Sequence, residues 1–182
     1  MAVIKRITSS GDVQFLQPNN MDELVAWMNN ETGVLTGIEY KFYSYFTGLA
    51  NNDSKEYLFV IPSSVNVGIR GMIIKTEAEA ELRVWRGPTV SDNGTDVSNQ
   101  IINENIASSN TSNCIAYEDP VYTSEGELID IDYVPGSGNV TYLGGLLGDM
   151  MYISDITLLF QILNISGATM NRATIKMLFR EW

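Results

Sequence analysis

One turn is written twice in this chain. Gly87-Pro88-Thr89-Val90-Ser91-Asp92-Asn93-Gly94-Thr95 and Asp119-Pro120-Val121-Tyr122-Thr123-Ser124-Glu125-Gly126-Glu127 each place a glycine six residues after a proline, with small polar residues between them. Strand-like sequence surrounds both copies. Proline fixes φ and cannot donate to a ladder, so it belongs at a strand start or on a sheet edge. Glycine after Asp-Asn or Ser-Glu supplies the positive φ of a reversal. The two copies therefore require a β-protein whose long middle excursion is built twice to one plan.

The flanking sequence follows the same rule. Ala78, Ala80, Leu82 and Val84 alternate with Glu77, Glu79, Glu81 and Arg83, the period of a strand with one wet face. Burying three unpaired carboxylates would cost several kcal/mol each, so that face meets solvent or a basic partner. Strands are expected over 40–46, 57–61, 65–76, 115–122, 127–134, 156–165 and 173–182. Residues 156–165 are apolar enough for a central strand covered on both faces. Gly68 and Gly71 mark a bulge or close packing. Asn51-Asn52-Asp53-Ser54, Gly136-Ser137-Gly138 and Ser166-Gly167-Ala168 are turns, Gly144 to Gly148 is a flexible connection, and 96–113 is a polar, Asn-rich loop. Strands and turns at this spacing predict an all-β fold, an antiparallel β-sandwich of jelly-roll type. The best helix candidate is 20–28, capped by Asn20, with Leu24, Trp27 and Met28 at helical spacing. Residues 1–36 are read as an N-terminal arm with this short helix, and 37–182 as the β-sandwich domain.

With 182 residues the chain suits one domain able to bury roughly 70% of its unfolded surface. Its net charge of −11 and 11 Lys and Arg exclude a free-standing nucleic-acid binder and disfavour anionic membrane. Met1 to Lys5 lack the apolar core of a signal peptide, and no run reaches the ~18 apolar residues of a membrane span. Synthesis in a cytoplasm is expected. The single cysteine, Cys114, forms no intrachain disulfide and reads as a small apolar residue at a strand start.

The chain contains no histidine, which removes Ser-His triads and zinc-histidine sites. Asp130 and Asp132 share a strand face roughly 6–7 Å apart. That spacing overlaps a glycosidase pair, although a solvated strand face is the plainer reading. Asp92-Asn93-Gly94-Thr95-Asp96 lacks the ligand alternation of a calcium loop and reads as a turn. Gly144-Gly145-x-x-Gly148 lacks the Lys-Ser/Thr of a phosphate loop. Tyr40, Phe42, Tyr43, Tyr45 and Phe46 line either a carbohydrate or nucleotide platform or the core and a sheet face. No catalytic, cofactor-binding or metal-binding residue is assigned, no cofactor is expected, and the chain is expected not to be an enzyme.

The order of features over 57–182 resembles a family of tailed-bacteriophage virion proteins of the capsid-decoration or minor-head type. The resemblance rests on the two turns, the Asn-rich stretch 99–105, the Gly144-Gly145 pair, the strand and turn Phe160-Gln161-Ile162-Leu163-Asn164-Ile165-Ser166-Gly167, and the aromatic end at Trp182. The chain departs from that pattern at Asn103-Glu104-Asn105-Ile106, where an arginine is expected to follow the asparagines. The resemblance implies a β-sandwich on or near a capsid shell, located in the virion. Its partners would be the major capsid protein and other virion proteins. It would act as a homo-oligomer, a trimer being one arrangement, without direct nucleic-acid or membrane contact. The alternative is a virion surface or tail module that recognises a host carbohydrate or receptor.

Overall fold

The computed structural model describes residues 38–137 and 155–182 in full, and the backbone of 4–7, 13–16, 140–143 and 150–152. The proposed helix at 20–28, the domain boundary at 36 and the Gly144 to Gly148 connection lie outside the described residues. In chain order the strands are β1 (Ile4–Ile7), β2 (Val13–Leu16), β3 (Glu39–Phe46), β4 (Ser54–Ile61), β5 (Val67–Thr76), β6 (Ala80–Arg86), β7 (Thr89–Asp92) and β8 (Thr95–Asp96). They continue as β9 (Ile101–Asn103), β10 (Ile115–Glu118), β11 (Val121–Ser124), β12 (Glu127–Val134), β13 (Val140–Leu143), β14 (Met150–Tyr152), β15 (Ile156–Asn164) and β16 (Ala173–Glu181). Among the described residues the only helical turn is a 3-10 segment at Ser98–Gln100, and no helix is long and apolar enough to cross a membrane.

Two antiparallel sheets form a sandwich. One has the order β12-β6-β15-β4-β10-β8, the other β13-β5-β16-β3-β9, with β14 also on β5. Eight of these strands, β3-β16-β5-β13 facing β12-β6-β15-β4, reproduce the two interlocked Greek keys of a jelly roll. Among the described residues β1 and β2 pair with each other, from Ile4↔Leu16 to Ile7↔Val13.

The inner faces interdigitate as period two requires. β3 contributes Tyr40 and Phe42, β4 Tyr57, Phe59 and Ile61, and β16 Ile175, Met177 and Phe179. Phe179 joins the sheets, 5.7 Å from the Tyr40 ring centroid and 5.1 Å from that of Phe59. The bulge foreseen around Gly68 and Gly71 is present: the register of β5 on β16 shifts between Leu178 and Phe179. A Cβ at Gly68 would lie 3.0 Å from the Trp182 ring.

The duplicated turn accounts for the rest. Its two copies pair with each other, β7 against β11, through Val121↔Asp92, Tyr122↔Val90 and Ser124↔Thr89. Two pairs of hydrogen bonds mirror each other across the ribbon. The Gly87 N–H donates to the Thr157 carbonyl (2.9 Å), and the Asp119 N–H donates to that of Glu56 (3.1 Å). The Ser91 hydroxyl donates to the Val121 carbonyl (3.1 Å), and the Thr123 hydroxyl donates to that of Thr89 (3.3 Å). The first sheet is palindromic in consequence. β6 and β10, which lead into the two turns, flank the central pair β15 and β4, while β12 and β8, which leave them, lie outside.

This ribbon straps the outer face of that sheet. Leu58, Trp85 and Leu159 point away from the main core, yet they are buried because Val60, Val90, Tyr117 and Tyr122 pack over them. Covering such side chains stabilises by roughly 2 kcal/mol each. The double coverage expected for β15 is therefore supplied by the core on one side and the duplicated turn on the other.

Candidate functional site

With one face of the sandwich strapped, the open face is the outer side of β3, β16 and β5. Alternation dictates its contents. On β3, Lys41, Tyr43 and Tyr45 point outward between the buried Tyr40, Phe42 and Ser44. On β16, Thr174, Lys176, Leu178 and Arg180 do so between Ala173, Ile175, Met177 and Phe179. Register sets these side chains in rows: Lys75, Thr174 and Tyr45 form one, and Ile73, Lys176 and Tyr43 the next. Tyr45 is 60% and Tyr43 42% exposed. Lys41, Arg70, Lys75, Lys176 and Arg180, five of the eleven basic residues of an acidic chain, lie on this face.

Their environments differ. Glu39 is buried at one end and accepts from Arg70 Nη1 (2.8 Å) and Arg180 Nε (2.7 Å), so those two cations share one carboxylate. Lys41 pairs with Glu104 at 2.8 Å. That ion pair stands at the point where the sequence departs from the phage-like pattern. Among the described residues, no carboxylate pairs with Lys75, Lys176 or Arg172. At the far end of the face a cleft of about 600 Å³ opens between Tyr45, Lys75, Glu77, Ser137, Arg172 and Thr174. It offers an open aromatic ring, the cations of Lys75 and Arg172, the hydroxyls of Ser137 and Thr174, and the Glu77 carboxylate.

A second cleft of about 480 Å³ borders Tyr40, Asn110, Asn113, Glu181 and Trp182. Its acid is already engaged. The Glu181 carboxylate is buried and accepts from the Ser112 hydroxyl, the Asn113 N–H (3.1 Å), the Asn113 amide (3.1 Å) and the Cys114 N–H (3.3 Å). It fixes the Asn-rich loop to the last strand. Burial, reinforced by Glu181, pushes the Cys114 thiol well above its ordinary range, as expected of an inert core cysteine.

Asp130 and Asp132 do share one face of β12, but it is the inner face. A bulge between Leu128 and Asp130 sets Asp130 opposite Val84 and Asp132 opposite Leu82, both core residues. Asp130 is only 8% exposed, and its Oδ2 has no hydrogen-bond partner. Burial and the Asp130 charge together raise the Asp132 carboxyl above its usual range. Leu128, Ile131 and Tyr133 take the solvent side instead. One slipped residue exchanges the faces of a strand, and inward charges are one way an edge strand resists mispairing.

The five aromatics divide as the sheet does: Tyr40 and Phe42 enter the core, Phe46 packs against it, and Tyr43 and Tyr45 face outward. The Asp92 carboxylate accepts the Gly94 N–H (3.0 Å) and that of Asp96 accepts the Ser98 N–H (2.8 Å), as in ordinary turns. Lys75, Arg172 and Thr174 carried no signal in the sequence, because they come from segments about a hundred residues apart that meet only through the β5–β16 ladder.

No protein-family model matches this chain, and no curated protein matches it. Solved structures show limited likeness. A hydroquinone 1,2-dioxygenase from Sphingomonas sp. TTNP3, with 4-hydroxybenzoate bound, is 10% identical with a TM-score of 0.24, over 79% of this chain and 59% of that one. The VP2 subviral particle of infectious bursal disease virus is 13% identical with a TM-score of 0.11, over 78% of this chain and 39% of that one. VP1 of trichodysplasia spinulosa-associated polyomavirus, in complex with sialylated glycooligomers, is 10% identical with a TM-score of 0.11, over 78% and 76%. This chain thus spans about three fifths of the dioxygenase and two fifths of the VP2 chain. The expectation that the chain is not an enzyme is corrected. The first of these structures is an enzyme, and an all-β framework by itself does not exclude catalysis. Likeness at these scores assigns neither an activity nor a role.

Proposed function

We propose that the chain is a virion structural protein, a capsid accessory of decoration or cement type that binds the major capsid protein lattice and acts as a homo-oligomer. One observation carries this reading. The two turns that bear the phage-like resemblance are not independent loops but the two halves of a single strap that completes a jelly roll. The whole excursion thus serves one structural device. Double-sheet jelly rolls recur in viral shells, and the step from architecture to role is by fold analogy. Cement proteins work by mass action, each copy burying surface across neighbouring capsomers so that the bound lattice is favoured. The open face, rich in cations and tyrosines, offers electrostatic complementarity to an acidic partner surface. Residues 1–36 would be the anchor.

The test is co-sedimentation with capsids purified from the virus that encodes the chain. Saturable binding at a fixed ratio to capsomers is expected, and deletion of residues 1–30 should abolish it while the β-domain keeps its cooperative melt. Absence of binding by the full chain would sink the reading; retained binding after deletion would sink the anchor.

A further inference from the structure

We propose that the cleft between Tyr45, Lys75, Glu77, Ser137, Arg172 and Thr174 is a binding site for a carboxylate-bearing sugar. Its size lies in the range of small-ligand sites. Tyr45 presents an open ring from the edge of the cleft, the surface against which the apolar face of a pyranose stacks. Lys75 stands in register with Thr174, and Thr174 with Tyr45, so cation, hydroxyl and ring lie in one row across three strands. Arg172 enters from the segment before β16, where its carbonyl accepts the Glu77 N–H (3.0 Å) and holds both residues at the rim. A guanidinium fork and an ammonium suit a carboxylate. Ser137, Thr174 and the Glu77 carboxylate suit the sugar hydroxyls.

Charge argues for a specific ligand. At a net charge of −11 the chain as a whole repels anions at long range. Cations gathered in one cleft therefore act at contact distance, through geometry, rather than by steering. A flat protein surface could meet the open rows of the face, whereas these groups line a concavity at its end, which suits a small ligand. The assignment stands whether or not the chain sits on a capsid, since it concerns the free protein.

The experiment is saturation-transfer NMR and calorimetry on the full chain with oligogalacturonate, sialyllactose, their neutral counterparts, and inorganic phosphate. At least one carboxylated sugar should bind, its neutral counterpart roughly tenfold or more weaker. Tyr45→Ala and Lys75→Gln should each lose about tenfold in affinity while melting as the unaltered chain does. Both side chains are exposed, so neither change disturbs the core. The assignment is overturned if no carboxylated sugar binds by about 10 mM, if neutral sugars bind equally, or if the variants bind unchanged. It is also overturned if phosphate displaces the sugar at equal concentration, which would mark a simple anion site. Capsid co-sedimentation reads a different event, so failure of one test leaves the other reading intact.

Discussion

A Cβ on Gly94 would meet the carbonyl oxygen of Glu118 at 2.2 Å. The counterpart glycine of the second turn stands in the same relation to the first: a Cβ on Gly126 would lie 2.3 Å from the Arg86 carbonyl oxygen. Each copy of the turn thus closes against the backbone that leads into the other. Both glycines also hold positive φ, +85° and +90°. Gly94→Ala and Gly126→Ala should therefore each destabilise by at least ~2 kcal/mol, as backbone rather than a flexible side chain must move. Gly167→Ala, at φ +78° with open space around it, should cost only about 1–2 kcal/mol. Urea unfolding of the three variants checks the ranking. The double variant should fall short of additivity, because both substitutions release one ribbon.

Asn164 is fully buried at the end of β15, just before the turn to β16, and its amide is saturated. Nδ2 donates to the carbonyls of Leu49 (2.9 Å), Ala50 (3.1 Å) and Ala168 (2.7 Å), while Oδ1 accepts from the Ser166 N–H and hydroxyl. Asn164→Asp would turn an acceptor toward three carbonyls and should cost about 3 kcal/mol or more. Asn164→Ser, which keeps a donor, should cost less. Chemical denaturation at pH 7 distinguishes them.

The Asp132 carboxyl is raised by burial and by the neighbouring Asp130 charge. A raised carboxyl favours its protonated form in the folded state, so at neutral pH its ionisation opposes folding. Asp132→Asn should raise the melting temperature at pH 7. The gain should shrink as pH falls through the raised pKa and vanish below the ordinary Asp value of about 3.9. A gain that persists unchanged at pH 3 would refute this account.

Burial pushes the Tyr57 phenol up to about 12, and burial with the Glu56 hydrogen bond also raises the Tyr122 phenol well above its ordinary range. Below pH 10 both phenols are neutral in either state. Above it the unfolded chain ionises first, so stability should fall from pH 10 upward until the folded phenols titrate. Tyr57→Phe should flatten that decline and cost about 1 kcal/mol at pH 7, through loss of the 2.9 Å bond to Ser44. Stability measured from pH 8 to 11 reads both effects.

Local pattern made most of the framework legible. Alternation set the strands of the jelly roll, and Glu127–Val134 is bounded as the turn residues before it require. Expected strand 115–122 is in fact two, β10 and β11, because Asp119 adopts φ +55° ahead of Pro120. Within the Asn-rich stretch, β9 escaped notice. Ile101–Asn103 is too short to show a period, and it is a strand only because β3 offers an unpaired edge. The bulge that turned Asp130 and Asp132 inward left no trace in composition.

The β-rich character of the chain, the middle excursion built twice to one plan, and the core placement of the last strands are legible residue by residue. These follow from period, φ preference and hydrophobicity, which act over a few neighbouring residues. The pairing of the two turns, the inward facing of Asp130 and Asp132, and the cleft shared by Lys75, Arg172, Thr174 and Tyr45 exist in the folded chain alone. Those outcomes depend on strand order and register, which arise from the packing of segments far apart in the chain, as Tyr45 is from Thr174, and are written in no single stretch of it.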